Sequence, residues 1–210
     1  MGSVERRQRE RKAMEEAILD AATALFTTHG FEQTTIRRIA EAIEYTPGTI
    51  YSYFADKDAI LYALHVRGFE AMGEAMAPVA HVADPLERLR AIGKAYLRFG
   101  LTNPQLYDLM FISGALGRKI EAGCEGWLPG ETNYDALRRT VEVCIETGAL
   151  PRHDLEAATF ACWGLVHGLV SLVLRNRTTM LRTENVPATL DGAFDFMFEA
   201  ILRHDTAEPG

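Results

Sequence analysis

Residues 34–57 read TTIRRIAEAIEYTPGTIYSYFADK, and this stretch decides the fold of the N-terminal part of the chain. Its apolar residues include Ile36, Ile39 and Ile43, at the i, i+3, i+7 spacing that gives a helix one buried face. A few residues later, Pro47 suits the first position of a second helix, where no backbone N–H is needed. Two short helices joined by a tight turn predict a helix-turn-helix.

Residues suited to capping precede both helices. Thr34 or Thr35 can accept a hydrogen bond from an unpaired N–H of the first helix, and Thr46 can do so for the second. Upstream, residues 14–28 carry an apolar helical stripe that ends near a glycine. We therefore predict a three-helix domain in the first part of the chain, all of it α-helical.

This stretch resembles the DNA-binding signature of the TetR family of bacterial transcription regulators, from about Ile18 to Leu64 without a gap. The residues that carry the resemblance are Phe26, Gly30, Thr34, Thr35, Ile39, Ala40, Gly48, Thr49, Ile50, Tyr51, Tyr53, Phe54 and Lys57. The resemblance implies a homodimeric regulator that binds double-stranded operator DNA. The family's usual DNA-contact positions correspond here to Thr35, Arg37, Thr46, Pro47, Gly48, Thr49, Tyr51, Tyr53 and Lys57.

The residue types at these positions suit DNA. Pro47 and Thr49 suit apolar contact with a thymine methyl group, and Arg37 suits guanine or phosphate. Tyr53 and Lys57 suit phosphates, which set the register of the protein on the duplex. Two positions depart from the family pattern, because Tyr45 stands where a small aliphatic residue is usual and Glu44 stands where a turn glycine is usual. A positive φ is costly for such a residue, so we expect an altered turn.

The distribution of charge restricts where DNA can bind. The chain has 22 Lys and Arg against 29 Asp and Glu, a net charge of −7. Residues 6–12 run against this balance, with five basic residues and one acidic residue. Attraction to phosphates must therefore be local. We interpret residues 6–12 either as a frayed, solvated terminus or as a flexible arm that touches DNA phosphates or the minor groove.

The rest of the chain predicts a helical C-terminal domain, and we place the boundary between residues 1–57 and 58–210. A long helix begins at Asp56, others follow Asp84 and residue 131, and residues 154–174 are apolar all round. A last amphipathic helix follows Pro187. The two final helices can pair with their copies in a second chain, or merely cover the chain's own core. The predicted dimer-interface residues are Ala161, Gly164, Gly168, Phe194, Met197, Phe198 and Ile201.

Residues 96–111 and 163–168 resemble the "WHG" C-terminal domain of a subset of TetR-type regulators, over roughly residues 84–204. The resemblance implies a domain that binds a ligand and dimerises. Aromatic and methionine side chains suit a small hydrophobic effector. We predict a pocket lined by Phe99, Tyr107, Met110, Phe111, Cys144, Trp163 and His167. The glycine-rich residues 113–130 can gate it, and His167 also suits a packed, hydrogen-bonded role.

Several classes of function lack support in the sequence. The sequence contains no uninterrupted apolar run of about 18 residues, so we predict no membrane span. The N-terminus lacks the apolar core of an export signal, so we do not expect export. Three scattered cysteines indicate reduced thiols, and no catalytic, metal or cofactor motif is present. We therefore predict a cytoplasmic transcription regulator, a repressor that a small hydrophobic ligand releases from its operator, and not an enzyme. The alternatives are a dimeric protein-interaction module without DNA binding, or a ligand-independent or redox-responsive regulator.

Overall fold

The computed structural model of the chain describes residues 2–112 and 128–203, and these residues form helices and turns without a strand. The predicted all-α class is confirmed. The α-helices in chain order are α1 Ser3–His29, α2 Ile36–Ala42, α3 Pro47–Tyr51, α4 Lys57–Met76, α5 Pro85–Thr102, α6 Pro104–Tyr107, α7 Leu128–Glu146, α8 Leu155–Leu174 and α9 Val186–Arg203. A 3₁₀ turn, Ala77–His81, follows α4, and a π-helical turn, Asp108–Ile112, follows α6.

The described residues pack as two compact units. The first contains residues 2–68 and 105–112, and the second contains residues 69–104 and 128–203. Helix α4 begins in the first unit and ends in the second. The domain boundary at residue 57 stays a prediction.

The first unit is built around an apolar core to which α1, α2, α3 and α4 all contribute. Its buried members are Ile18, Ala22, Phe26, Ile39, Ala40, Ile50, Ile60, Leu61, Leu64 and Leu109. The stripe predicted on α1 and the buried face predicted on α2 both point into this core. Burial of these side chains supplies the main stabilisation of the unit, since each fully buried aliphatic side chain contributes roughly 1.5–3 kcal/mol.

Helix α1 is longer than its apolar stripe indicates. It begins at Ser3, so the basic residues 6–12 are helical and not frayed or extended, while contact of this segment with DNA stays a prediction. Opposite charges four residues apart support the exposed helix by a few tenths of a kcal/mol per pair. These pairs are Arg6–Glu10 at 3.6 Å, Arg11–Glu15 at 3.0 Å and Lys12–Glu16 at 4.0 Å.

Side-chain caps begin several helices. Thr35 caps α2 and Asp84 caps α5, as the sequence predicts, and Asp154 caps α8 in the same way. Each accepts a hydrogen bond from the backbone N–H three residues on, at 3.2, 2.8 and 2.8 Å respectively. Thr34 is fully buried instead, and its hydroxyl donates to the carbonyl of Gly30 at 2.9 Å.

In the second unit, α5 packs against α7, α8 and α9. The approach of α5 to α9 is close, because a Cβ on Gly93 would lie 2.4 Å from the ring of Phe194. Asp195 on α9 joins the same two helices through ion pairs with Arg90 at 2.8 Å and Lys94 at 3.0 Å. These two cations hold the pKa of the Asp195 carboxyl below its ordinary value.

Two of the predicted dimer-interface residues on α9 are buried within the single chain. Phe194 and Phe198 are only 3% and 7% exposed, and they belong to the chain's own core. This packing fits the alternative that α9 covers the chain's own core, and the contact of these two side chains with a second chain stays a prediction. Met197 is exposed, and the side chain of Ile201 lies outside the described residues.

Helix α8 is apolar but little buried. Of its residues, Thr159, Val166 and Val170 are buried. Among the helices that the structure describes, α8 is long and apolar enough to cross a membrane by length and composition, although it contains no uninterrupted apolar run of that length. Composition alone does not distinguish such a span from a helix that another protein surface covers.

Candidate nucleic-acid interface and effector site

Helices α2 and α3 bury one face and expose the other. Ile39, Ala40 and Ile50 are fully buried, whereas Tyr51 is 57% exposed. The nine predicted DNA-contact residues are all accessible. Thr35, Arg37, Thr46, Pro47, Gly48 and Tyr51 are exposed, and Thr49, Tyr53 and Lys57 are half-buried. The geometry therefore leaves this face open to a large partner.

The turn between α2 and α3 keeps a left-handed residue at its centre. Glu44 has a φ of 60°, and its N–H donates to the carbonyl of Glu41 at 3.2 Å. The N–H of Tyr45 donates to the carbonyl of Ala40 at 2.9 Å. These two bonds form a Schellman motif, which a glycine usually completes. The expectation of an altered turn is wrong, because the hydrogen bonds hold Glu44 in the conformation that glycine would take.

The start of α3 carries two threonine hydroxyls and a glycine, whose backbone no side chain covers. Thr46 occupies the N-cap position, but its hydroxyl lies 3.3 Å from the hydroxyl of Thr49 and makes no cap bond to the backbone. A Cβ on Gly48 would meet only the Thr46 hydroxyl oxygen, at an ordinary 3.7 Å. The fold thus has room for a side chain at position 48. The absence of one lets another molecule approach the backbone closely.

The cations of this face differ in their surroundings. Arg37 is exposed, and its Nε donates to Glu41 at 2.8 Å on the same helix face. Lys57 is held more tightly, since its Nζ donates to the carbonyl of Phe31 at 2.7 Å and lies 4.1 Å from the centroid of that ring. Arg37 can exchange its weak surface pair for a phosphate, whereas Lys57 also serves the fold.

The predicted effector-site residues fall in both compact units. Phe99, Cys144, Trp163 and His167 lie in the second unit, and Tyr107, Met110 and Phe111 lie in the first. In the first unit the rings of Tyr107 and Phe111 are 4.8 Å apart. In the second, Phe99 and Cys144 are buried, and the rings of Trp163 and His167 are 5.5 Å apart. A single pocket lined by all seven residues stays a prediction, and residues 113–127 of the predicted gate lie outside the described residues.

A polar network joins α5 to α8. The indole Nε1–H of Trp163 donates to the hydroxyl of Tyr96 at 3.2 Å, and that hydroxyl lies 3.2 Å from Nδ1 of His167. Burial lowers the pKa of His167, which favours its neutral form. Tyr96 is missing from the predicted site, although a tyrosine in an otherwise apolar helical stripe signals a hydroxyl that needs a partner.

Burial affects the reactivity of the two described cysteines. Cys144 is buried, and burial raises the pKa of its thiol to about 11. Burial also raises the pKa of Cys162. Because the thiolate is the reactive form, a raised pKa lowers the reactive fraction of both thiols at neutral pH. Cys124 lies outside the described residues, and within those residues no group of three His, Cys, Asp or Glu side chains could hold a metal ion.

Comparison with known proteins matches two consecutive family models to this chain. Residues 18–64 match the model for bacterial regulatory proteins of the tetR family. Residues 89–201 match the model for the tetracyclin repressor-like C-terminal domain. The chain belongs to the TetR family. It is therefore a DNA-binding transcription regulator, the class of function that the sequence predicts.

Curated and solved relatives agree with this assignment. The HTH-type transcriptional repressor Rv1474c of Mycobacterium tuberculosis is 38% identical over 194 residues, which cover 89% of this chain and 91% of that protein. The regulator FadR from Bacillus subtilis, solved with stearoyl-CoA, has a TM-score of 0.71 at 18% identity, covering 89% and 98% of the two chains. AibR, solved with isovaleryl coenzyme A and operator DNA, has a TM-score of 0.68 at 19% identity, covering 90% and 97%.

The TetR assignment agrees with the geometry of α2 and α3. A helix-turn-helix regulator places its second helix in the major groove. In this TetR-family chain that helix is α3, whose accessible residues include Thr46, Gly48 and Tyr51. The family and its relatives are transcription regulators, whose function lies in binding DNA. Which individual side chains touch the operator stays a prediction.

Proposed function

We propose that the chain is a homodimeric cytoplasmic repressor that binds its operator through α2 and α3 and leaves it when a small hydrophobic effector binds. The observation that carries the DNA-binding part is the two-sided character of these helices. Ile50 is fully buried, while its neighbour Tyr51 is 57% exposed. An exposed tyrosine close in sequence to the Thr46 and Thr49 hydroxyls suits contact with the groove of a duplex.

The roles within this surface follow from chemistry. Gly48 lets the start of α3 approach the DNA backbone, while Pro47 and Thr49 suit the methyl group of thymine. Arg37 exchanges its ion pair with Glu41 for guanine or phosphate. Tyr53 and Lys57 lie at the edge and suit phosphates, which fix register.

Operator binding can be tested with a genomic fragment that the wild-type protein retards in a gel. Tyr51→Ala and Arg37→Ala should each weaken binding by about 1–3 kcal/mol because they remove base or phosphate contacts while leaving the core intact. Tyr62→Ala, a 41% exposed tyrosine on α4, is the matched control and should bind normally. Unchanged affinity in both test variants would refute the docking of α2 and α3.

The homodimer rests on apolar surface that a single chain leaves uncovered. On α8, Phe160 is 61% exposed and Leu172 is 50% exposed, and on α9 Phe196 is 71% exposed. A Cβ on Gly164 or Gly168 would meet nothing within 4 Å. An apolar face with small residues permits close approach of another helix, and a second copy supplies one by two-fold symmetry.

A second chain covers this surface better than a membrane does. Helix α8 packs against α5 and α7 in the second unit, and its Thr159, Val166 and Val170 are buried there. Because one side of α8 packs in the core of the second unit, a partner needs to cover only its other side. The revised interface therefore keeps Ala161, Gly164, Gly168 and Met197 and exchanges the buried phenylalanines for exposed ones.

Sedimentation velocity tests the dimer. Gly164→Glu and Phe196→Asp should each yield folded monomers, because a charge buried in the interface without a partner costs several kcal/mol. Met180→Asp, at an equally exposed methionine outside α8 and α9, is the control and should remain dimeric. A wild-type protein that sediments as a monomer at micromolar concentration contradicts the proposal.

The effector part rests on the second unit's aromatic and polar cluster. Tyr134 and Phe160 pack edge-on to Trp163 at 6.2 and 5.8 Å, and the Tyr96 hydroxyl links Trp163 to His167. Such clusters combine apolar walls with a few oriented polar groups, as ligand sites do. Because two regulators of similar fold were solved with acyl-CoA molecules, acyl-CoA thioesters of increasing chain length are suitable first probes.

Fluorescence of Trp163 measures effector binding directly once Trp127, the other tryptophan, is replaced by phenylalanine. A true effector should change this fluorescence and release the retarded fragment over the same concentration range, since only a ligand with unequal affinity for two states shifts their populations. Binding without release contradicts the switch but leaves the pocket standing.

A further inference from the structure

The basic N-terminal end of α1 has two different sides. Successive residues of an α-helix lie about 100° apart, so Arg7 and Arg11 are within roughly 40° of each other, whereas Arg9 lies about 160° from Arg11. Ile18, two turns after Arg11, points into the core of the first unit. Arg7 and Arg11 therefore lie on the continuation of the core-facing side, and Arg9 lies on the opposite side.

One contact fixes what this side faces. The guanidinium carbon of Arg11 lies 5.2 Å from the centroid of the Tyr53 ring, in a cation–π arrangement. Tyr53 lies two residues after the end of α3 and belongs to the surface proposed to bind DNA. The side of α1 that carries Arg11 thus borders that surface, and Arg7 extends it by about one helical turn, roughly 6 Å.

The charges on this side differ in availability. Arg6, Arg11 and Lys12 each pair with a glutamate four residues on. Arg7 and Arg9 are exposed and form no ion pair with any residue in the described part of the chain. Of these two uncompensated cations, Arg7 lies on the side next to Tyr53.

We propose that the N-terminal turns of α1 form a rigid second phosphate-binding element, in which Arg7 contacts the DNA backbone beside the operator half-site and Arg11 positions Tyr53. This inference rests on the proposed docking of α2 and α3 and extends that surface. Arginine presents a planar fork that binds phosphate oxygens in pairs, and such contacts are independent of base sequence. The helix holds Arg7 in place, so the contact requires no ordering of a flexible arm.

The local positive charge of α1 identifies the phosphate backbone of DNA as its partner. The net charge of the protein is −7, and the basic residues 6–12 stand out locally against this balance. A protein with such a charge needs its cations at the interface to overcome long-range repulsion. A continuous line of accessible cationic and aromatic groups from Arg7 through Arg11 to Tyr53 suits one strand of a duplex.

The experiment compares Arg7→Ala with Arg9→Ala, which remove the same charge from opposite sides of one helix. Affinity for a fragment that the wild-type protein retards is measured between 50 and about 300 mM salt. Arg7→Ala should weaken binding about fivefold and reduce the slope of log affinity against log salt by about 1, as loss of one phosphate contact does. Arg9→Ala should change affinity by less than about twofold.

Tyr51→Ala in the same assay distinguishes this inference from the proposed function. If Tyr51→Ala loses binding while Arg7→Ala and Arg9→Ala behave alike, the second phosphate element is refuted and the docking of α2 and α3 stands. If Tyr51→Ala binds normally, the proposed docking fails and this inference fails with it. Thermal unfolding of all three variants verifies that α1 remains folded.

Discussion

The ammonium group of Lys57 donates a hydrogen bond to the backbone carbonyl of Phe31 at 2.7 Å and stacks on the ring of the same residue. This contact ties the start of α4 to the loop that follows α1. Lys57→Met should lower the free energy of unfolding by about 1–2 kcal/mol even without DNA, because it removes a charged hydrogen bond and a cation–π contact. Lys12→Met, on the exposed side of α1, should change it by less than about 0.5 kcal/mol. Urea unfolding compares the two, and equal effects would contradict a structural role for Lys57.

Glu44 is held at a φ of 60°, which costs a residue with a Cβ more than it costs glycine. Glu44→Gly should therefore raise the free energy of unfolding by about 1 kcal/mol. Glu44→Ala is the control, because it removes the carboxylate but keeps the Cβ, and it should leave stability nearly unchanged. Equal stabilisation by both substitutions, measured by urea unfolding, would assign the cost to charge and not to backbone conformation.

A substitution at Gly48 can affect DNA binding without lowering the stability of the fold. The fold leaves room for a Cβ at this position, and alanine favours a helix over glycine by up to about 1 kcal/mol. Gly48→Ala should therefore preserve or slightly raise the unfolding midpoint while weakening operator binding at least about fivefold, the ~1 kcal/mol lower end expected for one lost contact. Gly192→Ala, at a glycine of α9 with nothing within 4 Å of the new Cβ, should leave operator binding unchanged. Normal binding by Gly48→Ala contradicts close approach of DNA.

The N-terminal fold could be predicted from sequence because its signals are local. Thr35 and Pro47 occupy cap or first-turn positions that residue type alone indicates. The same applies to the core faces of α1 and α2, which follow from periodicity. Local signals misled at Glu44, where two backbone hydrogen bonds outweigh the preference of the residue, and at residues 6–12, where charge pairs continue the helix beyond its apolar stripe.

The candidate site in the C-terminal part was less predictable because several of its helices are apolar on more than one side. Periodicity identified Phe194 and Phe198 as a stripe, but it could not tell whether the stripe meets α5 or a second chain. The close approach of the Phe194 ring to Gly93 shows that this stripe packs against α5. Sequence periodicity cannot reveal this contact, because the two residues are about 100 positions apart. Tyr96 was missed for the same reason, since its partners Trp163 and His167 lie on a distant helix.

The hydroxyl of Tyr96 contacts the side chains of both Trp163 and His167. Its removal should therefore lower the free energy of unfolding by more than the loss of one hydrogen bond does. Tyr96→Phe leaves the indole N–H of Trp163 and Nδ1 of His167 without that oxygen in a largely buried setting. We expect a loss of about 1–3 kcal/mol in unfolding free energy and a changed Trp163 fluorescence. Tyr45→Phe, at a 49% exposed tyrosine, is the control and should show neither effect. An unchanged unfolding midpoint in Tyr96→Phe would show that the network contributes nothing.

His65 makes the stability of the first unit depend on pH. It is 3% exposed on α4, and burial lowers its pKa from the ordinary 6.5 to about 4. As the pH falls below 6.5, the unfolded chain takes up a proton that the folded chain refuses, so the stability present above pH 6.5 is lost progressively towards pH 4. The loss at the acid end should be on the order of 3 kcal/mol.

Urea unfolding between pH 4 and 7.5 measures this dependence for the wild-type protein and for His65→Gln. The variant is expected to be less stable at neutral pH, since it places an amide in the core, yet its stability should fall less steeply with acid. The comparison therefore uses the slope against pH and not the absolute value. His153→Gln, at an exposed histidine, should retain the wild-type slope. If His65→Gln and the wild-type protein lose stability in parallel between pH 6.5 and 4, the acid sensitivity arises from carboxylates and not from this buried histidine.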